Sequence, residues 1–153
     1  MDDLSQSECE ALLNTALVGH LGVADDNGVP YVTPVSFAYN GSSLMLRTGP
    51  GRRLELIRAH PSVCVEVSSF DEETGDWASV ILWGEAVEVT DVDRRSDVVQ
   101  LLLSKYEASI GAQSWSTPDV LPGLSTVVEV SVDSMTGRRS GGGFGQKTRP
   151  GRL

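Results

Sequence analysis

Cysteine and histidine are both scarce in this 153-residue chain, which contains two of each. Cys9 and Cys64 are isolated and have no Cys-x-x-Cys spacing, so we expect two small core thiols in a reducing compartment and no disulfide framework. His20 and His60 show neither His-x-His nor His-Glu-x-x-His spacing. A zinc site built by the protein therefore has no support in the sequence.

Long apolar runs are also missing. No run of about 18 apolar residues occurs, so we expect no membrane span. The first ten residues, MDDLSQSECE, lack the basic and then apolar order of a secretory signal peptide. The length suits one globular domain with a real core, and the chain is expected to be cytoplasmic.

Positive charge is in short supply, since 12 Lys and Arg stand against 21 Asp and Glu, for a formal net charge of -9. A surface of this kind repels a nucleic acid backbone, so nucleic acid is not an expected partner. Familiar catalytic motifs are missing as well, with no Gly-x-Ser-x-Gly elbow and no evident close carboxylate pair. If the protein is an enzyme, its reactive group is therefore expected to be a bound cofactor.

One stretch, residues 28–63, reverses the general charge of the chain. It contains a single acidic residue, Glu55, and four arginines, which are Arg47, Arg52, Arg53 and Arg58. A positive island in an acidic protein is typical of a site that holds an anion.

The Gly-Pro-Gly turn at residues 49–51 indicates a phosphate as that anion. A helix N-terminus leaves its first N–H groups unpaired and favours negative charge, and glycine lets the backbone come close. Arg52 and Arg53 offer forked donors, with Arg47 and Thr48 approaching from the end of the preceding strand. The alternative is a plain strand-to-helix turn followed by solvated arginines. Charge and position alone do not separate the two interpretations.

Apolar periodicity and turn residues predict a mostly β chain with flanking helices. Ser5 and Glu8 have the spacing of a capping box, and Asn-Gly pairs predict two hairpin turns. Residues 70–76 and 107–123 are predicted as loops. The predicted helices cover 4–17, 52–59 and 93–106, and the predicted strands cover 18–24, 31–39, 44–46, 63–67, 77–89 and 126–132.

Three residues carry both a structural and a functional interpretation. His20, inside the first predicted strand, is either a partly buried polar residue or a group facing a ligand. Pro34 cannot donate to a ladder and so marks an edge strand, a bulge or a gap that faces a ligand. Trp77 is either a core residue or a contact to a ligand or partner subunit.

The order of these segments resembles a known family. A hairpin, then LMLRTGPGRRLELIRAHPSVCVEV, then WASVILWGEAVEV is similar to the pyridoxamine 5'-phosphate oxidase-like superfamily of FMN-binding split barrels. Gly-Arg-Arg-Leu-Glu-Leu followed by Pro-Ser-Val-Cys resembles its nim-type (nitroimidazole-resistance-like) branch. The resemblance implies an α+β, mostly β fold: a six-stranded antiparallel split barrel with flanking helices. It implies one domain over residues 1–134 and a Gly/Arg-rich C-terminal tail over 135–153.

The resemblance also implies a ligand site. In the family, the strand-end pair and the arginine pair hold the FMN phosphate, and the strand before them lines the isoalloxazine ring. A histidine at the place of His20 faces the ring pocket in the nim-like branch, which makes His20 the candidate catalytic residue. The implied FMN site consists of Tyr31, Val32, Thr33, Pro34, Val35, Arg47, Thr48, Arg52 and Arg53, with Trp77 as a further candidate.

The expected function is that of an FMN-dependent oxidoreductase, with hydride moving from NAD(P)H through the flavin to an unidentified small-molecule acceptor. The resemblance implies a homodimer with the flavin site at its interface. Three alternatives stay open: an F420-dependent reductase on the same fold, a non-catalytic flavin or haem carrier, and an interaction module whose cradle holds no ligand.

Overall fold

A computed structural model describes residues 1–111 and 125–141 as one antiparallel β-sheet with three helices. The helices are α1 Gln6–Thr15, α2 Arg52–Ala59 and α3 Val92–Ile110. The strands are β1 Asp2–Asp3, β2 Gly19–Ala24, β3 Pro30–Val35, β4 Phe37–Tyr39, β5 Ser43–Thr48, β6 Ser62–Phe70, β7 Trp77–Glu88 and β8 Thr126–Arg139. None of these three helices is both long and apolar enough to cross a membrane.

The sheet forms a barrel that is split along one line. Its strand order is β3-β2-β6-β7-β8-β5-β4, with β1 paired to the end of β8. The two edge strands, β3 and β4, follow each other in the chain and are joined through Ser36, so the sheet curls round until its edges meet. Within residues 1–111 and 125–141, no ladder joins β3 to β4. The predicted split barrel with flanking helices is therefore confirmed.

The predicted number of six strands was wrong, because residues 1–111 and 125–141 already place seven strands on the main path of the sheet. The predicted strand over 31–39 divides at Ser36 into β3 and β4. At this bend the Phe37 N–H donates to the Tyr106 hydroxyl of α3 at 2.9 Å, which satisfies a backbone donor without a strand partner. Pro34 lies on an edge strand, as one interpretation of its missing N–H required.

Several element boundaries also differ from the prediction, and the largest differences are at the ends of β8 and α3. β8 was predicted to end at residue 132 but runs to Arg139, because the first half of β7 needs a partner and Ala78 pairs with Arg139. α3 continues to Ile110, so residues 107–110 of a predicted loop are helical. Residues 112–123 of that predicted loop lie outside the described part of the chain, as do residue 124 and the last residues, 142–153.

The core fills the barrel and continues beneath α1. The predicted capping box begins this helix, with the Ser5 hydroxyl accepting from the Glu8 N–H at 3.3 Å and the Glu8 carboxylate accepting from the Ser5 N–H at 2.8 Å. Cys9 is buried beneath the helix, and burial raises the pKa of its thiol. Side chains with almost no exposure fill the barrel, including Leu13, Leu21, Phe37, Leu46, Val65 and Leu82.

Gly84 gives a stability prediction. The pairing register shifts between Trp83 and Gly84, and a Cβ added at Gly84 would lie 1.9 Å from the Ser131 carbonyl oxygen. We expect Gly84→Ala to lower the free energy of unfolding by at least about 1–3 kcal/mol, since a backbone atom must move. Urea unfolding measures this, with Gly49→Ala as a control because its Cβ meets nothing within 4 Å. Equal stability of the two variants would contradict the predicted clash.

Lys105 gives a pH prediction. Its ammonium donates to the Leu13 carbonyl at 3.1 Å and lies 3.7 Å from the Phe37 ring centroid, and burial lowers its pKa from 10.5 to about 8. Between these values the unfolded state binds a proton that the native state has released, so this residue's contribution to stability rises with pH. Lys105→Met should remove that rise. Urea unfolding of both proteins across this interval measures it, and a stability difference that does not change with pH would contradict the prediction.

Candidate functional site

Arg53 bridges the split in the barrel. β4 pairs only with residues 44–46 of β5, so Thr48 projects beyond the end of β4 towards β3. The Arg53 guanidinium fills this gap: Nε donates to Thr48 Oγ1 at 2.9 Å, and Nη1 donates to Thr33 Oγ1 at 3.2 Å and to the Pro34 carbonyl at 3.0 Å. α2, β3 and β5 therefore meet at one half-buried side chain.

The turn before Arg53 is open. Gly51 is the N-cap of α2 with φ of 142°, a conformation that favours glycine, and no side chain of the described residues caps the helix. Among those same residues, a Cβ added at Gly49 or Gly51 would meet nothing within 4 Å. Thr48, only 2% exposed, closes the inner side of the turn and donates to the Gly49 carbonyl at 3.1 Å. An anion can thus approach the first turn of α2 from solvent.

The other arginines of the positive stretch divide into two groups. The Arg52 side chain is 57% exposed, with Nη2 3.9 Å from a carboxylate oxygen of Asp25, a long and solvated ion pair. Arg47 is half-buried on β5 beside the turn. Arg58 instead forms a two-pronged pair with Glu88 at 3.1 and 2.7 Å, which raises the pKa of Arg58 and lowers the pKa of Glu88. The positive charge of Arg58 is therefore paired with Glu88, away from the Gly-Pro-Gly turn.

β3 alternates between the two faces of the sheet. Thr33 faces the split and accepts from Arg53, whereas Val32, 62% exposed, and the exposed Pro34 face outwards. Tyr31 and Val35 pack against the barrel core, and Val35 is only 5% exposed. Of the five β3 residues in the implied site, Thr33 and Pro34 are the two that contact Arg53.

His20 lies on the outer face of the sheet, next to Pro34. The two residues are paired across β2 and β3, and paired residues share a face with Cβ atoms about 5 Å apart. His20 Nδ1 lies 3.2 Å from Glu66 Oε2, and Glu66 Oε1 accepts from the Ser79 hydroxyl at 2.8 Å. The sequence alone assigned neither Glu66 nor Ser79 a role in the site. The feature that could have identified Glu66 is its charge within the otherwise apolar segment VCVEV.

Trp77 lies far from the turn within one chain. It begins β7, where it pairs with Phe70 and accepts a hydrogen bond from the Ser140 N–H at 2.9 Å. Thr48 instead pairs with Thr126, at the opposite end of β8 from Ser140. A single subunit therefore does not bring Trp77 to Arg53.

Metal ligands do not gather in the described residues, where no cluster of three or more His, Cys, Asp or Glu could hold a metal ion. His20 and His60 have separate carboxylate partners, Glu66 and Asp26. What residues 1–111 and 125–141 offer is an open, arginine-lined turn beside an edge strand, together with a polar group on the neighbouring outer face.

Solved structures share this architecture. An FAD-binding protein of Mesorhizobium loti is 29% identical, with a TM-score of 0.74, and the match covers 91% of this chain and 97% of that one. A candidate 5-nitroimidazole antibiotic resistance protein of Bacteroides thetaiotaomicron is 24% identical, with a TM-score of 0.73 over 90% of this chain and 86% of that one. An FAD-binding protein of Mycobacterium smegmatis is 23% identical, with a TM-score of 0.66 over 90% and 97%. At identities of 24% and 23%, the Bacteroides and Mycobacterium structures show that this chain shares their fold.

A curated relative and a family model complete the comparison. An uncharacterized protein of Rhizobium meliloti (strain 1021) is 26% identical over 86 residues, and the match spans 56% of each chain. The family model described as pyridoxamine 5'-phosphate oxidase matches residues 5–139, from the capping box of α1 to the end of β8. This match confirms the resemblance noted in the sequence, and the chain belongs to the pyridoxamine 5'-phosphate oxidase family.

Proposed function

We propose that this protein binds FMN at the Gly-Pro-Gly turn and acts as a flavin-dependent oxidoreductase. The observation that carries the proposal is Arg53, held by Thr48, Thr33 and the Pro34 carbonyl at the mouth of an open helix N-terminus. A guanidinium fixed in this way loses little side-chain entropy when it binds a phosphate. The 29% identical Mesorhizobium loti protein, described as FAD-binding, adds support for a flavin.

The residues of the turn suit a phosphate monoester. Arg53 uses Nε and Nη1 for its three protein contacts, and no residue within 1–111 or 125–141 accepts from its Nη2. Arg52 adds a second guanidinium, whose ion pair within the described residues is the long contact to Asp25. Arg47 and Thr48 complete the set from β5. The open backbone at Gly49 and Gly51 admits phosphate oxygens close to the N–H groups of α2.

β3 would line the flavin ring. As an edge strand it pairs with β2 on one side only, which leaves backbone N–H and C=O groups on the other side for a ligand. Val32 and Pro34 present an apolar outer surface, and Tyr31 and Val35 hold the strand in place from the core.

The flavin, when bound, supplies hydride chemistry, taking a hydride from NAD(P)H and passing it to a small-molecule acceptor. The chain's own groups bind and orient it. Arg52 and Arg53 fix the phosphate end, and β3 sets the position of the ring relative to His20. The acceptor would approach from the outer face of the sheet, where His20 is 48% exposed.

We also propose that a second copy of the chain covers this outer face and completes the flavin site. Exposed apolar side chains extend from β3 to β7, and we name Val32, Ile81, Trp83 and Val87 the outer apolar patch. The patch adjoins Pro34 and His20, so whatever covers it also shields the ligand from water. In such a homodimer, Trp77 would reach the ligand from the partner subunit.

Absorption spectra of protein purified from the cytoplasmic fraction of expressing cells, followed by titration with FMN, FAD and F420, test the cofactor. A flavin spectrum, FMN as the tightest ligand and NAD(P)H oxidation support the proposal. Tightest binding of FAD or F420 would move the assignment to that cofactor, and a Soret band would indicate a haem carrier. A colourless protein that takes up none of them would overturn the proposal in favour of an interaction module.

A further inference from the structure

The outer face of the sheet carries two aligned rows of side chains. In the first row Val32, Gly22, Cys64 and Trp83 are paired across β3, β2, β6 and β7. In the adjacent row the paired residues are Pro34, His20, Glu66 and Ile81. His20 and Glu66 therefore form a polar pair with apolar residues at both ends of their row and along the neighbouring row. Ligand sites typically combine an apolar lining with a few placed polar groups, which is the arrangement of these two rows.

The hydrogen bonds of this pair decide which ring nitrogen of His20 is presented. An ionised carboxylate only accepts hydrogen bonds, and Glu66 accepts from the Ser79 hydroxyl through Oε1 at 2.8 Å. Its Oε2, 3.2 Å from His20 Nδ1, must then accept the Nδ1 proton. The neutral imidazole consequently has its lone pair at Nε2, in a side chain that is 48% exposed.

The location ties this arrangement to the proposed flavin site. Arg53 Nη1 donates to the carbonyl of Pro34, and Pro34 is the β3 partner of His20. One residue pair thus separates the phosphate-binding guanidinium from the imidazole.

We propose that Glu66 and Ser79 are positioning residues that hold His20 in its Nδ1-protonated form, with Nε2 as the atom that exchanges a proton with the acceptor. This inference rests on the proposed function. An acceptor that takes up a hydride also needs a proton. The imidazolium of His20 gives its Nε2 proton, returns to the neutral Nδ1–H form and is protonated again from water.

The chain contains one matched control. His60 Nε2 lies 2.5 Å from Asp26 Oδ1, but Asp26 is 89% exposed on a turn, away from both rows. Asp26→Asn therefore removes a similar histidine–carboxylate contact from elsewhere on the surface.

The first experiment is ring-nitrogen NMR of full-length protein, in which His20 and His60 are the only histidines. In the neutral state we expect His20 to be protonated at Nδ1 and its Nε2 signal to move when FMN is added, with His60 unchanged. Glu66→Gln should shift His20 towards the ordinary Nε2–H tautomer, and Ser79→Ala should do so partially. A His20 that is Nε2-protonated in the wild type, or unaffected by Glu66→Gln, overturns the inference.

The second experiment compares NADPH-dependent reduction of a quinone or nitroaromatic probe by the flavin-loaded variants. Glu66→Gln should lower kcat by at least about 10-fold with KM nearly unchanged, as removal of a positioning partner does, whereas Asp26→Asn should keep the wild-type rate. Equal kcat in all variants, or an unmoved Nε2 signal in protein that has bound FMN, overturns the positioning role alone. Failure of the wild type to bind flavin overturns the proposed function, and this inference with it.

Discussion

Arg53→Ala should lower FMN affinity by about 10- to 100-fold. A hydrogen bond to a charged group is worth about 1.5–3 kcal/mol, and 1.4 kcal/mol is tenfold in affinity. The substitution should also lower stability, because the same side chain joins Thr48 to Thr33 and Pro34 across the split in the barrel. We therefore expect a lower unfolding midpoint as well. Fluorescence titration with FMN measures the first effect, and urea unfolding in the absence of FMN measures the second.

Comparison with the other arginines separates charge from geometry. Arg58→Ala removes a charge from the same helix but breaks the contact with Glu88, away from the Gly-Pro-Gly turn, so FMN affinity should stay at the wild-type value. Arg52→Ala should weaken FMN without changing the unfolding midpoint, because its ion pair with Asp25 is long and exposed. Arg53→Lys keeps the positive charge but loses the forked pair of donors. Its FMN affinity should therefore lie between those of the wild type and Arg53→Ala. An Arg53→Ala protein that binds FMN as tightly as Arg58→Ala would refute the phosphate assignment.

Trp83→Glu should dissociate the proposed homodimer and reduce flavin retention with it. Trp83 is 42% exposed at the centre of the outer apolar patch, and buried tryptophans at interfaces commonly contribute 2 kcal/mol or more. A loss of that size raises the dimer dissociation constant by at least about 30-fold. The added carboxylate also lies near Glu66 in a chain whose net charge is already -9. Light scattering over a dilution series measures the association.

Val92→Glu is the matched control for this substitution. Val92 is also an exposed apolar residue, but it begins α3 and lies outside the outer apolar patch. This variant should remain a dimer with normal flavin retention. A wild-type protein that is monomeric by light scattering while fully loaded with flavin would show that the outer face has no role in dimer formation.

Local patterns were sufficient for several elements of the fold. The Ser5 and Glu8 capping box and the helix over residues 52–59 depend on neighbours within a few positions, and both form as predicted. The division of residues 31–39 at Ser36 was not predictable in this way, because the hydroxyl that accepts from Phe37 belongs to Tyr106, 69 positions further along the chain. The length of β8 likewise depends on its pairing with β7.

For the candidate site, the composition could be predicted from the order of residues: an acidic chain with guanidinium groups gathered at a glycine turn. Which of those groups act together depends on the folded chain, because the curl of the sheet brings Thr33 and Pro34 to Arg53, and packing of α2 places Arg58 against Glu88. Pairing of three adjacent strands likewise aligns His20, Glu66 and Ser79. Charge and turn type depend on residues that are close in sequence. Side-chain pairing depends on strand register, which long-range packing sets.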